Sequence, residues 1–333
     1  MNYEKSKEIL SKIKSVDRIA VNCHRNPDPD SIGSALALYG VLSDMGKKVE
    51  LICPSKIEWK TLNYLKNFAK IKTIDYSKYD FSKHQLLIIL DSSSWDVVTD
   101  ISDYKPPKIP VAVIDHHRTN TAFGEINLVD ENATSTGELL YRVFEDWGVT
   151  INKDTAMAIL TGIIGDTGTF SYPGTGAQTL KIAGELLEKG ADKDRIVQQI
   201  YRSVDFKMVQ FWGEVINNAK VDKVNKFIWS AIPHARYKEL GSLIGGRESI
   251  ANLIGGTTEG TDFGIVMVEQ EPKKLTASFR SRTGIDVSVL TQKLGGGGHR
   301  YAAGVRITGL TFDDAVARVL TMVRESINEA KRG

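Results

Sequence analysis

The first half of the chain alternates short apolar runs with stretches of helical periodicity. Residues 18–23 (RIAVNC) predict a strand. Residues 31–45 predict the helix that follows, with Ile32, Ala35, Leu36, Tyr39 and Leu42 at helical spacing and Gly46 as its stop. Residues 49–53 predict the next strand. The runs 86–90 (LLIIL) and 111–114 (VAVI) are almost wholly apolar, as strands buried on both faces are. Residues 135–147 predict a helix with Leu139, Leu140, Val143, Phe144 and Trp147 on one face. Strands alternating with helices predict an α/β fold, a parallel sheet with helices on both faces.

From about residue 155 the pattern turns helical, over 155–164, 175–187, 193–201 and 206–219. Beyond residue 221 it becomes strand-rich. Strands are predicted at 227–232, 263–269 and 274–280, with helical stretches at 248–254, 287–294 and 311–330 between and after them. This predicts a second, smaller α/β domain. No Gly/Ser linker separates the halves, so a helical connector is expected. The expected boundaries are a first domain at 1–190, a helical linker at 191–221 and a second domain at 222–333.

Composition narrows the choice of partners. A chain of 333 residues with 41% hydrophobic content suits two globular domains. A net charge of +2 does not suggest a protein that grips long duplex nucleic acid through many phosphates. A small anionic substrate remains compatible, because local charge in a cleft outweighs the total. The two cysteines, Cys23 and Cys53, form no zinc spacing and read as buried free thiols. The N-terminal residues lack a signal-peptide core, and no apolar stretch is long enough to span a membrane. A cytoplasmic location is expected.

Chemistry enters at the ends of the predicted elements. His24 to Asp30 (HRNPDPD) follows the first strand, Asp91 follows LLIIL, and Asp115-His116-His117 follows VAVI. In open parallel sheets, sites lie outside the carboxyl ends of the strands. Asp166 ends the helix predicted at 155–164 and shares a face with Ile159 and Ile163. A carboxylate on an apolar face needs a partner, because burying an unpaired charge is very costly. Taken singly, each motif has a plain structural explanation as a helix cap, a turn or a satisfied histidine pair. Together they assemble five aspartates and three histidines without a cysteine. That donor set suits Mn²⁺, Mg²⁺ or Fe²⁺. So many groups suit two ions about 3.5–4 Å apart with a bridging carboxylate and an activated water, the chemistry of phosphoryl hydrolysis. His84 and His234 have no such acidic context and read as surface or loop residues.

The second half carries its own signals. Gly295 to Gly298 precede His299, and consecutive glycines let backbone N–H groups approach an anion. Arg280 and Arg282 stand at i, i+2 at a predicted strand end, so both are expected on one side. Arginine favours bidentate phosphate contacts.

These motifs resemble the DHH superfamily, whose signature matches Asp115-His116-His117. The glycine motif with the Ser-x-Arg strand resembles the DHHA1 domain. The order and length are similar to the bacterial and archaeal oligoribonuclease (nanoRNase) and pAp phosphatase family. The resemblance takes in Ala133 to Glu138 (ATSTGE), Gly165 to Phe170 (GDTGTF) and GGGGHRYAAG at 295–304. It implies that His24, Asp28 and Asp91 hold one Mn²⁺, while Asp30, Asp91, His116 and Asp166 hold a second. It implies that Asp115 orients the histidine pair and that His117 serves the scissile phosphate or the leaving group. Arg280, Arg282, Gly296, Gly297, Gly298 and His299 would hold the far end of the substrate. Pro29 departs from the glycine that many relatives carry between the two aspartates. The activity implied is hydrolysis of short oligoribonucleotides or of pAp, 3′-phosphoadenosine 5′-phosphate. Rival readings are a cyclic-di-AMP or pApA phosphodiesterase, a RecJ-type single-strand exonuclease and a non-catalytic nucleotide sensor. The oligomeric state stays open, a homodimer included.

Overall fold

A computed structural model of the chain describes residues 3–99, 101, 103–172, 174–242, 246–298 and 300–330. The chain divides into two compact units, 1–203 and 204–333. The stretch 191–221 contains one helix of each unit.

The first unit holds strands β1 (Arg18–Asn22), β2 (Lys48–Cys53), β3 (Lys72–Thr73), β4 (Leu86–Leu90), β5 (Val111–Asp115) and β6 (Ile126–Val129). Its helices are α1 (Glu4–Lys14), α2 (Pro29–Asp44), α3 (Trp95–Thr99), α4 (Thr136–Trp147), α5 (Lys153–Asp166), α6 (Ala177–Glu188) and α7 (Lys193–Tyr201). All six strands are parallel, in the order β3-β2-β1-β4-β5-β6. Successive strand residues face opposite sides. Ile19, Val21, Leu51, Ile88 and Ile114 therefore join the larger core beneath α1, α2, α4 and α5. Ala20, Ile52, Leu87, Ile89 and Val113 join a smaller core, closed by the short α3 and by Tyr76, Phe81 and Trp95. The strand order reverses between β1 and β4. Diverging connections leave a crevice at the carboxyl ends of such neighbours.

The second unit holds β7 (Lys220–Asp222), β8 (Phe227–Ile232), β9 (Phe263–Glu271), β10 (Lys274–Ser281), β11 (Gly297–Gly298) and β12 (Ala302–Thr308). Its helices are α8 (Phe206–Asn217), α9 (His234–Glu239), α10 (Gly246–Thr257), α11 (Val287–Gln292) and α12 (Phe312–Ala330). The sheet runs β11-β12-β10-β9-β8-β7, antiparallel except for the parallel β8–β9 pair. Leu275, Ala277 and Phe279 of β10 face one core with Val319 and Val323 of α12. Ser278 and Arg280 of the same strand face the opposite side, as period two requires.

Eight of these elements were not anticipated from the pattern: α1, β3, α3, β6, β7, α9, β11 and β12. In α1 only Ile9 and Ile13 are buried aliphatics among lysines and glutamates. In β12 small residues (Ala302, Ala303, Gly304) weaken the apolar alternation that Val305 and Ile307 carry.

Candidate metal centre

The loop after β1 delivers the first group of donors. Asp28 is the N-cap of α2, accepting a hydrogen bond from the Ser31 backbone N–H at 2.9 Å. Pro29 takes the first helical position, where its missing N–H costs nothing. This start carries Asp30 one residue into α2, fully buried. The Asp30 carboxylate accepts from the backbone N–H groups of Thr136 at 2.7 Å and Gly137 at 2.9 Å, at the start of α4. Unpaired helix N–H groups and the positive helix end favour an anion there.

Three glycines allow the helices to meet so closely. A Cβ at Gly33 would lie 2.4 Å from the Ala158 carbonyl oxygen, and one at Gly162 would lie 2.3 Å from the Asp30 carboxylate. A Cβ at Gly165 would lie 2.8 Å from the Pro29 ring. The crossing of α2 and α5 thus needs these glycines, and it brings Asp166 beside Asp30.

Asp91 follows β4 and is 2% exposed, with a left-handed φ of 55°. For a non-glycine residue that conformation costs roughly 1–3 kcal/mol and persists where the surroundings impose it. One Asp91 oxygen lies 3.4 Å from His24 Nε2, the other 3.5 Å from His116 Nε2. Thr136 Oγ1 donates to Asp91 at 3.2 Å. Asp166 lies 3.2 Å from His116 Nε2, and Asp28 3.8 Å from His24 Nε2.

The three imidazoles share one orientation rule. His24 Nδ1 donates to the Arg25 carbonyl at 2.7 Å, His116 Nδ1 to the Ala133 carbonyl at 3.3 Å, and His117 Nδ1 to Asp115 at 2.7 Å. These partners only accept, so Nδ1 carries the proton in each ring. In the neutral tautomer Nε2 is then a lone pair. At His24 and His116 that lone pair faces two carboxylates. The buried His116 Nε2 makes no hydrogen bond. Acceptors facing acceptors in a buried site need a cation between them, either a proton or a metal ion. Without a metal, protons serve. Burial disfavours charge on His24, but Asp91 and Asp28 outweigh it and raise its pKa to about 10. Burial, then the Asp91 charge, push Asp28 up to about 6.

Among the described residues three donor groups emerge: His24, Asp28 and Asp91; Asp30, His116 and Asp166; Asp91, His116 and His117. Within each, the candidate ligand atoms lie within 4.8 Å of one another. The donor set is oxygen-rich with imidazole, which fits Mn²⁺ or Mg²⁺ rather than a soft ion. Asp115 is fully buried and holds His117 through one oxygen while the other accepts from Asn120 Nδ2 at 2.7 Å.

Sequence reasoning assigned no role to Thr136, Gly137, Asn120 or Ser31. Thr136 and Gly137 leave faint signals, since they act through a hydroxyl or backbone groups across 45 to 107 positions of sequence, and Ser31 acts through its backbone N–H three residues after Asp28. Asn120 is likewise near, five residues after Asp115. His84 lies in a loop before β4, one of the two placements expected, but not on the surface: it is 6% exposed, stacked on Tyr79 and 3.2 Å from Glu50. His234 is half-buried at the start of α9, its Nδ1 donating to the Gln270 carbonyl.

In the second unit Arg280 is the penultimate residue of β10, with its Nε bonded to the Asn252 side chain. Arg282 lies beyond the strand, its Nε donating to the Thr261 carbonyl at 2.6 Å, so the i, i+2 strand argument does not govern it. Gly297 and Gly298 form β11 against β12. A Cβ at Gly296 would lie 2.3 Å from the Gly304 oxygen, and one at Gly298 2.5 Å from Ala303 Cα. Close strand approach therefore explains two of these glycines. His299 lies outside the described residues.

Comparison with known proteins agrees with this geometry. Residues 18–163 match the DHH family, N-terminal domain, and residues 239–329 match the DHHA1 domain. The chain therefore carries a DHH domain followed by a DHHA1 domain, which supports a DHH-type phosphoesterase; phosphoesterases of that family depend on divalent metals. Its particular relatives include the bifunctional oligoribonuclease and PAP phosphatase NrnA of Thermus thermophilus, 28% identical over 98% of this chain and 96% of the relative. NrnA of Bacillus subtilis is 26% identical over 92% and 94%. The crystal structure of an exopolyphosphatase-related protein from Bacteroides fragilis superposes with a TM-score of 0.90 at 25% identity, covering 98% of this chain and 97% of that one. Among the described residues no helix is long and apolar enough to cross a membrane.

Proposed function

We propose that this protein is a Mn²⁺-dependent, cytoplasmic phosphoesterase that hydrolyses short oligoribonucleotides and pAp. The observation that carries the reading is that the Nε2 atoms of His24 and His116 both face the buried Asp91 carboxylate, in a chain similar over nearly its whole length to oligoribonuclease/PAP phosphatases. His24, Asp28 and Asp91 would hold one ion. Asp30, Asp91, His116 and Asp166 would hold the other, with Asp91 common to both. Divalent ions supply Lewis acidity toward phosphoryl oxygens and acidify water.

The protein's own groups do the rest. The Thr136 and Gly137 N–H groups at the α4 N-terminus fix the Asp30 carboxylate in place. Asp115, steadied by Asn120, keeps the His117 Nδ1 proton in place. Burial disfavours charge on His117, but Asp115 and Asp91 outweigh it and raise its pKa. In the imidazolium form its Nε2 would contact the scissile phosphate and pass that second proton to the leaving oxygen, returning to the neutral ring with Nδ1 still protonated. Arg280 and Arg282, with Gly296, Gly297, Gly298 and His299, bind the substrate's other phosphate. So few anchors suit a short ligand; a long strand would need a continuous basic and aromatic channel.

The test is a panel of pAp, RNA of two to five nucleotides, RNA of twenty nucleotides, pApA and cyclic di-AMP, each with Mn²⁺ and with chelator. Turnover of pAp and the shortest RNAs, lost on chelation, is expected. Cleavage of the long RNA at the rate of the dimer would overturn the substrate assignment in favour of an exonuclease. Exclusive turnover of pApA or cyclic di-AMP would replace it with a dinucleotide phosphodiesterase.

A further inference from the structure

The segment that follows Asp166 departs from ordinary backbone. Gly168, Thr169 and Phe170 are all left-handed, with φ of 55°, 59° and 65°. Thr167 anchors the turn: its carbonyl accepts from the backbone N–H groups of Ser171 at 2.9 Å and Tyr172 at 3.0 Å. Its hydroxyl accepts from the Phe170 N–H at 3.0 Å. The chain thus coils tightly on itself and places Tyr172 next to the end of α5, whose last residue is Asp166. The Tyr172 ring lies over Gly168, where a Cβ would come within 2.4 Å of two ring carbons. Glycine at 168 is required as much by this ring as by the backbone.

A second tyrosine meets the same turn. Tyr201, the last residue of α7, donates its hydroxyl to the carbonyls of Ile164 at 3.0 Å and Gly165 at 3.2 Å. Those carbonyls end α5 directly before Asp166. Tyr172 and Tyr201 nevertheless remain 44% and 40% exposed. Apolar burial therefore does not account for two large rings placed here. Strained backbone held by several specific bonds, beside a cluster of charged donors, is characteristic of functional positions.

We propose that Tyr172, supported by Tyr201, forms a stacking shelf for the nucleobase of the nucleotide whose phosphate lies at the Asp/His cluster. This deepens the phosphoesterase reading and rests on it for the position of the phosphate. An aromatic face takes any base, since every base has a π-face, and contributes affinity with little sequence preference. A stacking shelf matches a substrate range that includes adenine nucleotides and mixed short RNA. Tyr172 is a binding residue in this scheme, and Tyr201 positions the turn that carries it.

The test compares AMP with ribose 5-phosphate by calorimetry on the full chain with Mn²⁺, for wild type, Tyr172→Ala, Tyr172→Phe and Tyr172→Trp. The two ligands share a phosphate and a ribose and differ in the base. Wild type is expected to bind AMP about five- to a hundredfold more tightly than ribose 5-phosphate, the range stacking supplies. Tyr172→Ala should bring that ratio close to one, while Tyr172→Phe and Tyr172→Trp should keep it. The kcat/KM ratio of pAp to ribose 3,5-bisphosphate should follow the same order. Equal binding of the two ligands by wild type, or an unchanged ratio in Tyr172→Ala, would overturn the shelf alone. Binding of neither ligand by wild type would overturn the phosphoesterase reading and the shelf with it. If Tyr172→Ala melts far below wild type, the Phe and Trp variants decide: loss of the ratio in both overturns the proposal.

Discussion

The Asp/His cluster of the first unit and the Arg/Gly region of the second differ in how firmly they are held. Asp30, Asp91 and Asp115 are almost fully buried; Asp30 and Asp91 accept hydrogen bonds from the distant start of α4, and Asp115 accepts one from the nearby Asn120. Arg282, Gly297 and Gly298 are exposed, and the arginines rest on neutral oxygens of Asn252 and Thr261. Burial without counter-charge is costly, so the carboxylates of the first region are held where a cation, proton or metal ion, compensates them. The second region satisfies its charges in solvent and through neutral acceptors, which a ligand can displace at small cost. Chemistry needs fixed positions, whereas recognition of several short ligands tolerates adaptable ones.

The largest effect should come from removing the shared carboxylate. Asp91→Ala is expected to lower kcat on the order of a thousandfold or more, and to reduce bound metal at both positions. Elemental analysis alongside turnover measures this. Two fully retained ions would refute Asp91 as the common ligand. His117→Ala sharpens the same comparison: turnover should fall while metal content stays near wild type. Loss of an ion from that variant, with His116→Ala keeping both, would exchange the two roles.

A smaller effect is expected one bond further out. Asn120→Ala leaves one Asp115 oxygen without its partner, and loss of such supporting bonds typically costs about ten- to a hundredfold in affinity or activity. Unchanged activity would show that the buried Asp115 needs no second anchor.

In the second region Arg280→Ala should lower kcat/KM for pAp and dinucleotides by about ten- to a hundredfold, with Mn²⁺ content unaffected. Metal loss in this variant would contradict the separation of roles between the regions.

Protonation separates the regions as well. His24, raised to about 10, carries a proton at neutral pH when no ion is bound. An ion entering must displace it, so Mn²⁺ affinity should rise with pH below that value and binding should release protons. Calorimetry in buffers of different ionisation enthalpy reads this. Binding without proton release would place the ion elsewhere.

The smallest effects concern stability. Gly162→Ala puts a methyl 2.3 Å from the Asp30 carboxylate, while Gly297→Ala meets nothing within 4 Å. The first should destabilise by about 1–3 kcal/mol through overpacking and the second by much less. Thermal melts compare them. Equal losses would mean that the α2–α5 crossing is not the tighter of the two.

Much of this was accessible from the order of residues alone. Period-two and period-3.6 patterns marked β1, β2, β4, β5, α2, α4 and α5 to within a few residues, because buried strands and amphipathic helices leave dense apolar signals. The donors that follow β1, β4 and β5 could be placed because the carboxyl end of a parallel strand is a fixed address in the chain. Asp166 was inferred from a polar residue on an apolar helix face. The signal was weak where an element buries little, as with α1 and β12, or where a role rests on one backbone N–H, as with Gly137.

Sequence by itself determined which residues carry charge, where strands end, and that carboxylates and imidazoles outnumber the needs of simple caps. Tertiary structure alone decided that Asp30 meets the α4 N-terminus, that Gly162 and Gly165 let α5 lie against α2, and that Asp91 stands between His24 and His116. It also moved His84 into a buried niche and turned the glycine run into a strand pair. The physical reason is that local pattern records hydrophobicity and backbone preference. Directed contacts over a hundred positions of sequence depend on how closely packed elements cross, and a single Cβ is enough to change that.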